Sequence, residues 1–75
     1  MEFEVPGAGA DVRIKVYGLD GGVVRTLVQG PQTAGKHSVE WDGRNTRGQQ
    51  TPAGFYLIRM EAPGFTAMQK VLLMH

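Results

Sequence analysis

The chain has no cysteine, no long apolar run and no excess of either charge, and each absence removes a class of protein. Without cysteine no disulfide can staple a small fold. The only histidines, His37 and His75, stand far apart and alone, so no zinc site is spelled out and no cofactor is expected. The missing cysteine leaves the redox compartment open. Apolar runs such as Val71 to Met74 are far too short to cross a bilayer. A net charge of +1, with acids and bases interspersed, provides no basic stripe for a phosphate backbone, so nucleic acid is not an expected partner. Met1 leads into Glu2-Phe3-Glu4, which has neither the charged n-region nor the apolar h-region of a signal peptide. No segment keeps apolar residues at i, i+3, i+4 and i+7 for long enough to form a helix.

What remains is a chain of 75 residues, enough for one domain, with 11 glycines and 4 prolines punctuating it at short intervals. Folding at this size buries only about 60% of the surface the unfolded chain exposes, so either the core must suffice or a larger parent must help. Phe3-Glu4-Val5 reads as a short strand stopped by Pro6-Gly7-Ala8-Gly9. Val12 to Tyr17 alternates strictly, with Val12, Ile14 and Val16 on one face and Arg13, Lys15 and Tyr17 on the other, the pattern of a half-buried strand. Asp20-Gly21 then marks a hairpin. In the returning strand, Val23 to Val28, Val24 and Leu27 are both apolar yet differ in parity. A bulge near Arg25-Thr26 accounts for that, as would burial on both faces.

Lys36 to Asp42 alternates again, with His37, Val39 and Trp41 on one face. Gly43 to Ala53 is a long loop. Phe55 to Ala62 and Phe65 to Leu73 form two more strands around Pro63-Gly64. About seven short strands separated by turns predict an all-β antiparallel sandwich in one domain, residues 1–75, expected to be a piece from the C-terminal end of a longer protein.

The succession Val12-Arg13-Ile14-Lys15-Val16-Tyr17 and Leu19-Asp20-Gly21, then Gly35-Lys36-His37-Ser38-Val39-Glu40-Trp41-Asp42-Gly43, then Pro52-Ala53-Gly54-Phe55-Tyr56-Leu57 resembles the Ig-like domain of flagellar hook-capping proteins, the FlgD-like module. The resemblance covers Val12 to Leu73, and the motifs are specific in combination. The chain also resembles C-terminal sorting domains of bacterial proteins exported by the type IX system. Either likeness implies an Ig-like or fibronectin-like sandwich. Either also implies a non-enzymatic accessory module of a secreted or cell-surface protein, serving sorting, anchoring or assembly, with hook-cap scaffolding as one form. The location implied is extracellular or at the bacterial surface. Matched residue by residue, the family's hairpin glycine falls at Gly21 or Gly22 and its buried apolar pair at Val24 and Leu27. Its strand-ending tryptophan is Trp41, followed by the turn Asp42-Gly43, and its strand opening is Gly54-Phe55-Tyr56. Gly18 stands where the family often has aspartate, a departure expected to loosen that turn. The tail from Lys70 to His75 lacks the second lysine common near the end of type IX signals.

Few side chains suggest chemistry. Trp41 could offer an indole face to a sugar, which would make the chain a carbohydrate-binding module of an exported hydrolase, but its parity with Val39 places it in the core. Tyr56, in Gly54-x-Tyr56-x-Ile58, resembles the tyrosine corner of Ig domains and needs a backbone partner for its hydroxyl. Asp42, Asn45 and Thr46 present oxygens suited to calcium, yet with one carboxylate against Arg44 and Arg47 they read better as turn residues. His37 has no nucleophile motif to serve. With Tyr56, Ile58 and Met60 facing inward, Phe55, Leu57 and Leu72 face outward as an apolar docking face for a protein partner or the rest of a parent chain, or else a flanking loop buries them. Self-association through sheet edges is the other expectation, because Pro6 and Pro63 guard strand ends and leave the edges open.

Overall fold

The computed structural model describes all of residues 1–75. Six strands follow one another with no helix between them: β1 (Glu2–Val5), β2 (Ala10–Tyr17), β3 (Val23–Gln32), β4 (Gly35–Ser38), β5 (Gly54–Ala62) and β6 (Phe65–Leu73). They form two antiparallel sheets, a ribbon β1-β4 and a four-stranded sheet in the order β3-β2-β5-β6. The Ig-like sandwich read from the sequence is therefore present, with six strands where about seven were expected.

The strand read over Lys36 to Asp42 is shorter than expected and ends at Ser38. Alternation alone does not make a strand; a partner must stand opposite. β4 pairs only with β1, from Glu2↔Ser38 to Val5↔Gly35, and the contact ends one residue further on. There Val39 donates its N–H to Met1 O at 2.8 Å, and the Met1 ammonium donates to Val39 O at 2.6 Å. Beyond that point Trp41 still turns inward, but its backbone joins no ladder.

The core lies between the sheets. Val12, Ile14 and Val16 of β2 are fully buried, joined by Val5 of β1 and by Tyr56, Ile58 and Met60 of β5. The period-two alternation of β2 and β5 thus sends one set of side chains to the core and the other to the outer face of the four-stranded sheet. Val24, Leu27, Val28, Val39 and Trp41 pack on this cluster while keeping some exposure. The irregularity of β3 is real, and there are two: Ile14 faces Val28 while Lys15 faces Thr26, and Val16 faces Arg25 while Tyr17 faces Val23. Leu27 and Val24 are the extra residues, one on either side of Arg25-Thr26. Each bulge resets the parity, so both of these apolar side chains reach the core.

The β2–β3 turn is closed despite Gly18. Gly18 donates to Gly22 O at 2.9 Å, Gly21 donates to Gly18 O at 3.0 Å, and Asp20 Oδ1 accepts from the Gly22 N–H at 3.0 Å. A Cβ at position 18 would lie 2.8 Å from that carboxylate oxygen, so this turn takes its aspartate at 20 and leaves 18 bare.

Candidate functional site

The loop between β4 and β5 holds most of the residues singled out in the sequence, and it is built as a rigid corner. Asn45 organises it. Its Oδ1 accepts from the N–H groups of Arg47 and Gln49 at 2.9 and 3.0 Å, while its own backbone bonds Gln49 O and Gly48 N. Asp42 Oδ1 accepts from the Arg44 N–H at 3.0 Å, and the Arg44 guanidinium donates to Gly48 O at 2.9 Å. Asp42 Oδ1 and Asn45 Oδ1 thus each accept from turn N–H groups, the ordinary use of Asx side chains.

The base of the loop is closed by Thr51, which is buried. Its N–H and its hydroxyl both donate to Gly43 O, at 2.9 and 2.8 Å. Gly43 has φ +78°, a conformation that favours glycine, and a Cβ there would sit 3.0 Å from Leu73 Cδ1, a side-chain methyl that would have to give way. Thr46 fastens the loop to β3, donating from its N–H and its hydroxyl to Val24 O at 3.1 and 3.2 Å. Arg25 adds a bond from Nη1 to Asn45 O at 3.2 Å and an ion pair with Asp42 at 3.7 Å that solvent weakens. On the far side His75 clasps the loop. Thr51 O can only accept, so Nε2 carries the ring proton and donates to it at 2.7 Å, leaving Nδ1 to accept from Gln50 Nε2 at 2.6 Å.

Trp41 and Tyr56 meet edge to face across the core, with ring centroids 4.9 Å apart and an interplanar angle of 66°. The indole N–H donates to Arg44 O at 2.9 Å and the tyrosine hydroxyl to Pro52 O at 2.6 Å. Both polar tips therefore tie the corner loop to the core. Trp41 is half-buried against the inner face, whereas Tyr17, opposite Leu57, stands on the outer face. The two rings lie on opposite sides of the sheet, which denies the carbohydrate-binding reading the shared platform it needs. Tyr56→Phe removes one hydrogen bond from a buried hydroxyl and strands the Pro52 carbonyl. We expect it to lower stability by about 1–2 kcal/mol in urea unfolding followed by Trp41 emission.

The outer face of the four-stranded sheet can be read from the pairing, since residues directly opposite share a face. One row runs Val23, Tyr17, Leu57, Lys70; beyond it Phe55 stands opposite Leu72. Phe55 is 46% and Leu72 53% exposed, and Leu57, two residues along β5 from Phe55, is half-buried. Lys70 Nζ lies 4.3 Å from the centroid of the Phe55 ring. Away from this apolar end the face turns basic: Lys15 is opposite Arg59, and Arg13 is opposite Glu61, which pairs with Arg59 at 3.3 Å. The three residues expected to form a docking face thus lie together on one solvent-facing surface. Gly54 opens β5 beneath them, opposite Leu73.

The remaining features carry no constellation for catalysis. His37 stacks on Phe3 at 5.2 Å between centroids, and its Nε2 contacts the backbone oxygen Thr33 O at 2.7 Å. An apolar cleft of about 400 Å³ lies between β1 and the β5–β6 turn, lined by Val5, Val12, Met60, Ala62 and Phe65 among others, with Glu4 its one ionisable side chain. Nothing in the sequence pointed to it, because its walls come from four separate strands.

The sequence profile described as the FlgD Ig-like domain matches residues 1–64. The basal-body rod modification protein FlgD of Escherichia coli is 39% identical over 59 residues, which are 79% of this chain and 26% of that protein. The protein of the same name from Salmonella typhimurium is 49% identical over 43 residues, 57% of this chain and 18% of its own length. The chain therefore spans about a quarter or less of these relatives. No solved structure matches it. These matches lend no support to the sorting-domain or carbohydrate-binding readings. A two-sheet Ig-like sandwich with a matching profile from residue 1 to residue 64 places the chain in the FlgD Ig-like domain family.

Proposed function

We propose that the chain is a non-enzymatic protein-assembly module of the hook-cap type, one domain of a longer protein that works outside the cytoplasm. Membership of the FlgD Ig-like family carries this reading, and the exposed Phe55–Leu57–Leu72 end of the outer face gives it a surface. An apolar strip bordered by Lys70 and Tyr17 suits a protein surface that buries the rings and leaves the ammonium at the rim. The rigid corner loop holds β5 and its neighbours in fixed register, so the face is preformed and docking costs little ordering entropy.

The test is genetic. In an Escherichia coli strain lacking FlgD, the matched segment of FlgD is replaced by this chain and swimming is scored. Restored motility is expected, with loss of motility on Phe55→Asp in a chimera whose melting temperature is unchanged. A chimera that is folded and exported yet leaves cells immotile removes the hook-cap reading. Full motility with Phe55→Asp removes the face.

A further inference from the structure

The four free strand edges of this sandwich are not alike. β3 carries two bulges together with Gly30 and Pro31, features that break continuous pairing. β1 and β4 are four residues each and bear Glu2, Glu4 and Lys36. β6 has none of these protections. It runs nine residues, Phe65 to Leu73, without proline or glycine, and it pairs with β5 in unbroken register. Its one charged residue, Lys70, is drawn over the Phe55 ring instead of standing guard along the edge. Phe65, Met68 and Leu72 on the same strand are each more than half exposed, at 55%, 58% and 53%. A long, regular, apolar edge of this kind is a template for another strand.

We propose that a second copy of this chain occupies it, β6 pairing antiparallel with β6 about a two-fold axis through Gln69, so that two four-stranded sheets join into one of eight. The proposal rests on the assembly reading above and names a partner for it. The sequence of β6 is complementary to itself in that register. Gln69 meets its own copy, Ala67 meets Val71, and Phe65 meets Leu73, all on the inner face; on the outer face Met68 meets Lys70 and Thr66 meets Leu72. Inner residues face inner residues, every edge-directed backbone group finds an edge-directed partner, and no charge stands opposite its like. Shifting the centre to Lys70 would set the two ammonium groups against each other, which excludes that register.

Sedimentation of the 75-residue chain up to about 1 mM should show a reversible dimer. Met68→Lys sets a second ammonium opposite Lys70 twice in the dimer, and should weaken it by about tenfold or more. Met68→Glu at the same exposed position supplies an attractive pair and should leave the dimer intact or tighter. Gln69→Cys gives the decisive reading in a chain free of cysteine. Opposed residues of an antiparallel pair have Cα atoms about 4.5–5.5 Å apart, within disulfide reach, so this variant should cross-link rapidly on mild oxidation while Gln29→Cys on β3 does not. A chain that stays monomeric at that concentration, or a Gln69→Cys variant that cross-links no faster than Gln29→Cys, overturns the proposal. Motility of the chimera with a monomeric chain would leave the assembly reading standing without the β6 pairing. A β6 dimer in an immotile chimera would do the reverse.

Discussion

Ile14→Ala should leave most of the domain unfolded at room temperature. Ile14 is wholly buried at the middle of β2, opposite Val28 on one side and Met60 on the other. Truncating a buried isoleucine to alanine costs about 2–5 kcal/mol, because the lost transfer free energy is joined by a cavity that neighbours only partly fill. A single core in a chain this short supplies roughly 3–5 kcal/mol of net stability. The two magnitudes overlap, and no disulfide stands behind the core. Trp41 emission in urea is the measurement: the midpoint should fall close to zero denaturant for Ile14→Ala and by a modest step, about 1 kcal/mol, for Ile14→Val. An Ile14→Ala midpoint near that of the parent would mean that β2 does not carry the core.

Gly9→Ala should be the most damaging of the glycine substitutions, and Gly7→Ala two residues away should be mild. Both residues have positive φ, +62° at Gly7 and +99° at Gly9, so each alanine bears the left-handed penalty of about 1–2 kcal/mol. Their surroundings differ. A Cβ at Gly7 meets nothing within 4 Å, whereas at Gly9 it falls 2.5 Å from Gln32 O and 3.6 Å from Thr33 Cα, where the β1–β2 turn passes the end of β3. Those are backbone atoms and cannot rotate aside, so overpacking adds about 1–3 kcal/mol. In a domain of this size each kcal/mol shifts the melting temperature by about 4–8 °C, so scanning calorimetry should separate the two variants by about 4–24 °C, with Gly9→Ala the lower. Equal shifts would mean that the two backbones do not approach so closely.

The parts of this fold that could be read from the sequence are those in which one strand states its own environment. β2 is the clearest case: Val12, Ile14 and Val16 alternate with Arg13, Lys15 and Tyr17, and both sets lie where that pattern puts them. Tyr56, Ile58 and Met60 follow the same logic, and it left Phe55 and Leu72 in solvent. Parity failed only as a guide to pairing. Val39 and Trp41 kept their inward direction, yet the strand ended at Ser38, because whether a ladder continues depends on what stands opposite. The two bulges of β3 were visible as one conflict between Val24 and Leu27, but their positions are fixed by β2 and could not be placed from β3 alone. The clasp of His75 on Gln50 and Thr51, and the tie of Thr46 to Val24, join residues 22 to 25 positions apart by one or two hydrogen bonds that no local pattern encodes.

The pairing of β2 with β5 also sets an order in time. β2–β3 and β5–β6 are hairpins whose strands find each other across short turns, on the microsecond scale of local events. The sheet exists only once Tyr17 meets Leu57 and Arg13 meets Glu61, contacts between distant stretches of chain, and the ribbon β1–β4 must close around the same event. Joining the two hairpins closes a longer loop than either turn does, so on chain-entropy grounds that step is expected to be the slower one. A newly made copy would spend its vulnerable interval as paired hairpins with Val12, Ile14 and Val16 bare on one of them and Tyr56, Ile58 and Met60 bare on the other.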